Sequence, residues 1–154
     1  MENVQAIMLG VKSEDVKTSI AVAESGKRVD NQFLCKKDDE VIVGRLHTGD
    51  ENKKTQYKYG KLSIMNDNST YEVILSDYKW SDSMKESNSS FHCPPSCIIV
   101  GREHSGDENG LTRYAYKEVG IRKKATRTEP AGPYIPVYQS ESMTYNQQVV
   151  TIDN

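Results

Sequence analysis

Two stretches of this chain spell nearly the same thing. Residues 44–60 read GRLHTGDENKKTQYKYG and residues 101–117 read GREHSGDENGLTRYAYK. Residues 41–62 overlay residues 98–119 without a gap at a spacing of about 57 residues, which is the signature of an internal duplication. Upstream, FLCKKDDEVIVGR matches FHCPPSCIIVGR after one deletion, aligning Phe33 with Phe91 and Cys35 with Cys93. AVAES and SMKES echo each other faintly, and QSESMTYNQQVVTIDN forms a partial third echo at the end.

A duplicated chain of 154 residues is too short for two independent cores, because halves of this size bury too little surface to be stable alone. One domain over residues 1–154 is therefore expected. Its internal repeats fall at approximately 17–65 and 76–122, and residues 134–154 complete the sheet.

Polar and apolar residues alternate in QAIMLGV, TSIAVAE, EVIVGR, TQYKYGKLSIM, TYEVILSDYKW, CIIVGRE, TRYAYKEVGI, YIPVY and QQVVTI, which is the period of a strand. Turn clusters such as NDNS, GDENG and EPAGP separate them. The best helical candidate is SEDVKTSIAVAES, with Ser13 as cap and Val16, Ile20 and Val22 inward, yet its SIAVA run serves equally as strand. The expected fold is all-β, a sandwich or barrel built from two tandem, pseudo-twofold-related repeats of about 57 residues. Residues 122–136, with three prolines, read as a linker or long edge loop.

The net charge of −2 gives no field to draw duplex DNA or an anionic membrane, so neither nucleic-acid binding nor membrane insertion is expected. No apolar run is long enough for a secretory leader or a bilayer span, and cytoplasmic synthesis without a signal peptide follows as an expectation, compatible with release by another route. Cys35, Cys93 and Cys97 are an odd set, so at least one thiol is free or pairs between chains, which keeps a homo-oligomer open.

Within the repeat, VIVGR reads as a strand, the His-[Thr/Ser]-Gly-Asp-Glu-Asn run as a loop and Thr-x-Tyr-x-Tyr as the returning strand of a hairpin. Turn chemistry accounts for Gly49/Gly106, Asp50/Asp107 and Asn52/Asn109. It does not require an arginine, a histidine or a glutamate. Strand alternation places 41, 43, 45 and 47 on one face and 55, 57 and 59 on one face of the partner strand, where Val43/Val100, Arg45/Arg102, His47/His104, Thr55/Thr112, Tyr57/Tyr114 and Tyr59/Tyr116 are kept, while Leu46/Glu103, Lys54/Leu111, Gln56/Arg113 and Lys58/Ala115 drift on the other.

Two readings compete for the retained face. In one, the tyrosines pack inward and Arg, Asp and Glu brace the loop through charge-assisted hydrogen bonds. In the other, donors and acceptors beside aromatic rings take a sugar, whose hydroxyls need polar partners and whose C–H faces lie on rings. The sequence reading favours a non-enzymatic, lectin-like carbohydrate-binding protein, with a glycan or small polar ligand held once per repeat. The candidate ligand residues are Arg45, His47, Asp50, Glu51, Asn52 and Tyr57 in one half and Arg102, His104, Asp107, Glu108, Asn109 and Tyr114 in the other. The alternative is a structural or assembly module, such as a toxin, phage or surface-particle subunit, with the same residues bracing the hairpin. A hydrolase using Glu51 or Glu108 with histidine is the outsider.

No cofactor is expected. Calcium is the residual candidate at Asp-Glu-Asn, whose spacing is unlike an EF-hand loop, and His92, Cys93, Cys97 and His104 form a zinc-like set of which the first repeat keeps only Cys35 and His47. The basic run at Arg122, Lys123, Lys124 and Arg127 reads as a solvated loop. Trp80 reads as a half-buried cap on the core and as the side chain best suited to stack on a ligand.

Overall fold

A computed structural model describes residues 4–23, 32–47, 54–65, 69–85, 96–105, 111–137 and 148–153. The strands are β1 (Val4–Val11), β2 (Lys17–Thr18), β3 (Val22–Ala23), β4 (Gln32–Leu34), β5 (Glu40–His47), β6 (Lys54–Ile64) and β7 (Tyr71–Leu75). They continue with β8 (Lys79–Trp80), β9 (Met84–Lys85), β10 (Cys97–Ser105), β11 (Leu111–Lys123), β12 (Ile135–Pro136) and β13 (Gln148–Asp153). The helical candidate resolves into a single 3₁₀ turn, Ser13–Asp15, followed by two short strands, β2 and β3, and of the SIAVA run only Val22 and Ala23 lie in a strand. The long loop is shorter than expected, because β11 extends to Lys123 and β12 begins at Ile135.

Among the described residues the strands form two sheets, of six and seven strands, and they do not close into a barrel. Each sheet is organised on one long strand. β6 pairs with β1, β2 and β3 along one side and with β5 along the other. β11 pairs with β7, β8 and β9 along one side and with β10 and β12 along the other. β13 extends the first sheet by pairing with β1. β4 precedes β5 in the chain but joins the other sheet, setting Phe33 opposite Arg102 on β10.

The two long hairpins keep the same register. Arg45 faces Tyr57 as Arg102 faces Tyr114, and each ladder slips at one place, between Ile42 and Gly44 and between Ile99 and Gly101. One flanking contact also recurs. The Ser19 N–H donates to the Tyr57 carbonyl at 2.8 Å and its hydroxyl accepts from the Tyr57 N–H at 2.9 Å, while Ser81 makes both bonds to Tyr114 at 2.7 and 2.9 Å.

The slip corrects the facial reading of the sequence. Val43 and Val100 are the extra residues of β-bulges, and a bulge inverts the alternation on either side of it. Ile42, not Val41, therefore shares the face of Arg45. Core packing is continuous between the sheets: Ile7, Leu9, Val41, Ile42, Tyr57 and Leu62 join Ile98, Val100, Ala115, Val119, Ile121 and Val137 in one cluster, with Val43 packed against it.

Candidate functional site

The bulge in β10 turns Arg102 and His104 inward. In the second hairpin, Arg102 is 2% exposed and His104 1% exposed. Arg102 donates from Nη1 to the hydroxyl of Tyr57, 3.1 Å away on the other sheet. Tyr57 in turn lies stacked on Phe33, with centroids 4.6 Å apart and planes 9° from parallel, and Tyr59 closes on the same ring at 5.3 Å. Because Phe33 stands opposite Arg102 in its own sheet, the arginine and the phenylalanine grip Tyr57 together. Gly101 permits this approach: a Cβ there would meet Leu34 Cδ1 at 2.8 Å and the Phe33 carbonyl oxygen at 2.9 Å.

His104 Nδ1 sits 2.6 Å from Thr112 Oγ1, its direct cross-strand neighbour. Glu103, between Arg102 and His104, alternates to the opposite face, where it is 4% exposed and accepts from Arg113 Nε and Nη2 at 3.2 and 3.1 Å. This fork–fork pair is planar and fixed in geometry. Arg113 also lies over the ring of Trp80 at 4.3 Å, and Tyr78 meets Trp80 edge-on at 6.3 Å.

The copies are not equivalent in exposure. Arg45 is exposed where Arg102 is buried, and its neighbour Leu46 is 55% exposed where Glu103 is buried. His47 ends β5 opposite Thr55. Tyr57 is buried and Tyr114 half-buried. Asp50, Glu51, Asn52, Asp107, Glu108 and Asn109 lie outside the described residues, as do His92 and Cys93. The structure thus brings Arg102, Tyr57 and Phe33 together across the sheets and leaves Arg45 at the surface.

Metal chemistry finds no convergent set among the described residues. Cys97 and His104 stand seven positions apart on β10, about 23 Å at the rise of a strand, so they cannot share an ion. Cys35 and Cys97 are free and buried. Burial pushes the Cys35 thiol up to about 12, with the Glu40 carboxylate adding to the rise, so it behaves as a small hydrophobe.

The repeat places Glu103 and Arg113 among the positions that drift. Their signal was a cross-strand pair of opposite charges that replaces Leu46 and Gln56 in the other hairpin. A second feature carries no motif at all: a cleft of about 400 Å³ between the end of β6 and β7, floored by Leu62, Ile64, Val73 and Leu75 and rimmed by Lys12, Lys61 and Lys124. Comparison of the chain with family models, curated proteins and solved structures yields no match.

Proposed function

We infer that this chain is a non-catalytic β-sandwich module made of two related halves, acting through its surface as a structural or assembly unit. The second Gly-Arg-x-His segment, residues 101–104, serves in it as a brace. The observation that carries this reading is the buried hydrogen bond from Arg102 to Tyr57, which ties one sheet to the other. A guanidinium removed from water is costly unless its bonding is satisfied inside, so its burial is a commitment of the fold rather than a spare binding group. The equal registers, the two bulges and the Ser19 and Ser81 contacts support descent of the halves from one unit.

A second reading rests on the exposure of Arg45. In the first hairpin this arginine stands at the surface, a few residues before Asp50, Glu51 and Asn52 in the sequence, and together these are the polar mixture that suits a sugar. Carbohydrate binding would then belong to the first copy, with Trp80 and Tyr78 as an aromatic surface elsewhere.

Two variants separate these roles. Arg102→Ala is expected to lower folding stability by roughly 2–4 kcal/mol, combining a lost charged hydrogen bond with a cavity. Arg45→Ala is expected to stay within about 0.5 kcal/mol of the parent. Urea melts check both, and a glycan array run on the parent and on Arg45→Ala tests the second reading. An Arg102→Ala protein as stable as the parent overturns the brace, and an array without a signal overturns the sugar.

A further inference from the structure

Among the described residues the two long strands β6 and β11 differ in what lies beside their C-terminal ends. Beside β11, past the end of β10, the chain returns as β12: Pro136 stands opposite Gly120, Ile135 opposite Ile121, and the Val137 N–H donates to the Val119 carbonyl at 2.9 Å. Ile135 and Val137 face the core, Val137 being fully buried. Tyr134 points to the other face, covers Gly120 and donates its hydroxyl to Glu118 Oε1 at 2.9 Å. Beside β6, the matching lane past the end of β5 has no described strand in it. β5 stops its pairing at Glu40 opposite Lys61, and the Leu62 N–H donates to the Asp39 carbonyl at 2.9 Å, as the Val119 N–H does to Ser96 at 2.7 Å. The 400 Å³ cleft lies in that lane.

We propose that this cleft receives an extended peptide of a partner protein, added as an antiparallel strand along residues 62–64 with the pattern acidic–aliphatic–Pro–aliphatic. The inference rests on the reading of the chain as an assembly module of two related halves. The internal strand β12 supplies the template, because Tyr-Ile-Pro-Val already occupies the corresponding lane. Strand addition of this kind takes affinity from the main chain and specificity from alternate side chains. Leu62 donates toward the lane side, so two residues on, the backbone groups of Ile64 point into the same lane. Leu62, Ile64, Val73 and Leu75 give the aliphatic pair an apolar floor, and a proline is tolerated because an added strand is an edge.

Two substitutions between the lanes decide the outer residue. Lys61 stands where Glu118 does, and Lys12 and Lys124 add positive charge, whereas of the two lining carboxylates Glu72 is already engaged by Arg122 Nε at 2.9 Å, leaving Asp39 against three lysines. Ser63 stands where Gly120 does. A Cβ at Gly120 would run into the Tyr134 ring, so Ser63 excludes a tyrosine placed in that way. The site therefore takes Glu or Asp, reaching Lys61, and rejects the chain's own Tyr-Ile-Pro-Val.

The test uses the full chain, labelled with ¹⁵N, and three capped peptides, Gly-Glu-Ile-Pro-Val-Gly, its Tyr-headed form and its Lys-headed form. The Glu peptide is expected to bind with Kd of about 0.1–1 mM, to shift the Ile64 amide and to slow its exchange. The Tyr and Lys peptides are expected to bind at least tenfold more weakly. Lys61→Glu should invert the preference between the Glu and Lys peptides, and Ser63→Gly should admit the Tyr peptide. Both positions lie away from Arg102, so a failure here is distinct from a failure of the brace, which the Arg102→Ala melt reads separately. Equal binding of all three peptides, shifts confined to other residues, indifference to Lys61→Glu, or no binding up to several times the expected Kd would each overturn the proposal.

Discussion

Gly120 is bounded by the Tyr134 ring so closely that any added Cβ would collide with it. Gly120→Ala is therefore expected to displace Tyr134, break its hydrogen bond to Glu118 and cost roughly 1–3 kcal/mol, as overpacking does. The same change in a Tyr134→Ala background should cost much less, and urea melts of the four proteins check it. Cys35 makes a prediction of pH. Its folded thiol is raised to about 12 by burial and by Glu40, while an unfolded thiol titrates near about 8.5. Above that pH the unfolded chain gives up a proton that the folded chain keeps, so the stability from this group is full below about pH 8.5 and declines as pH rises toward 12. Cys97, raised by burial, and Tyr134, raised by burial and by Glu118, act in the same direction. The urea midpoint should fall between pH 8 and pH 10, and fall less in Cys35→Ala; an unchanged midpoint in the parent contradicts this.

At the scale of the elements, β10 and β11 carry on opposite faces two different devices. One face holds Arg102 and His104 inward, and the other holds the Glu103–Arg113 pair under Trp80. A double-mutant cycle on Glu103→Gln and Arg113→Met is expected to give a coupling of about 0.5–2 kcal/mol, modest because Arg113 is part-exposed, with Trp80 fluorescence altered in both variants containing Arg113→Met. Coupling near zero with an unchanged Trp80 spectrum contradicts the stacked pair. The strands themselves were legible in the sequence, since alternation marks β1, β5, β6, β10 and β11, and the turn clusters mark their ends. The facial assignment was not. A bulge adds one residue to one strand, and nothing in the spelling VIVGR or IIVGR distinguishes a bulged valine from a paired one, so simple alternation puts Val41 on the wrong face. The migration of β4 to the far sheet was equally hidden, because pairing partners are chosen by tertiary packing. Glu103 and Arg113 are hidden for a related reason: a repeat highlights what both copies keep, and this pair exists in one copy only.

The described residues form two sheets sharing one apolar cluster, and Arg102 of the second Gly-Arg-x-His segment is set where they meet. If the motif is a brace, the sheets should unfold in a single transition, and loosening the brace should lower its midpoint without splitting it. The most direct measurement is a double-mutant cycle on Tyr57→Phe and Arg102→Met, each conservative in volume, followed by urea denaturation. A charged hydrogen bond buried between the sheets predicts a coupling of about 1.5–3 kcal/mol and one transition in all four proteins. Additive effects, with coupling near zero, would show that Arg102 does not hold Tyr57 and would contradict the role given to the motif.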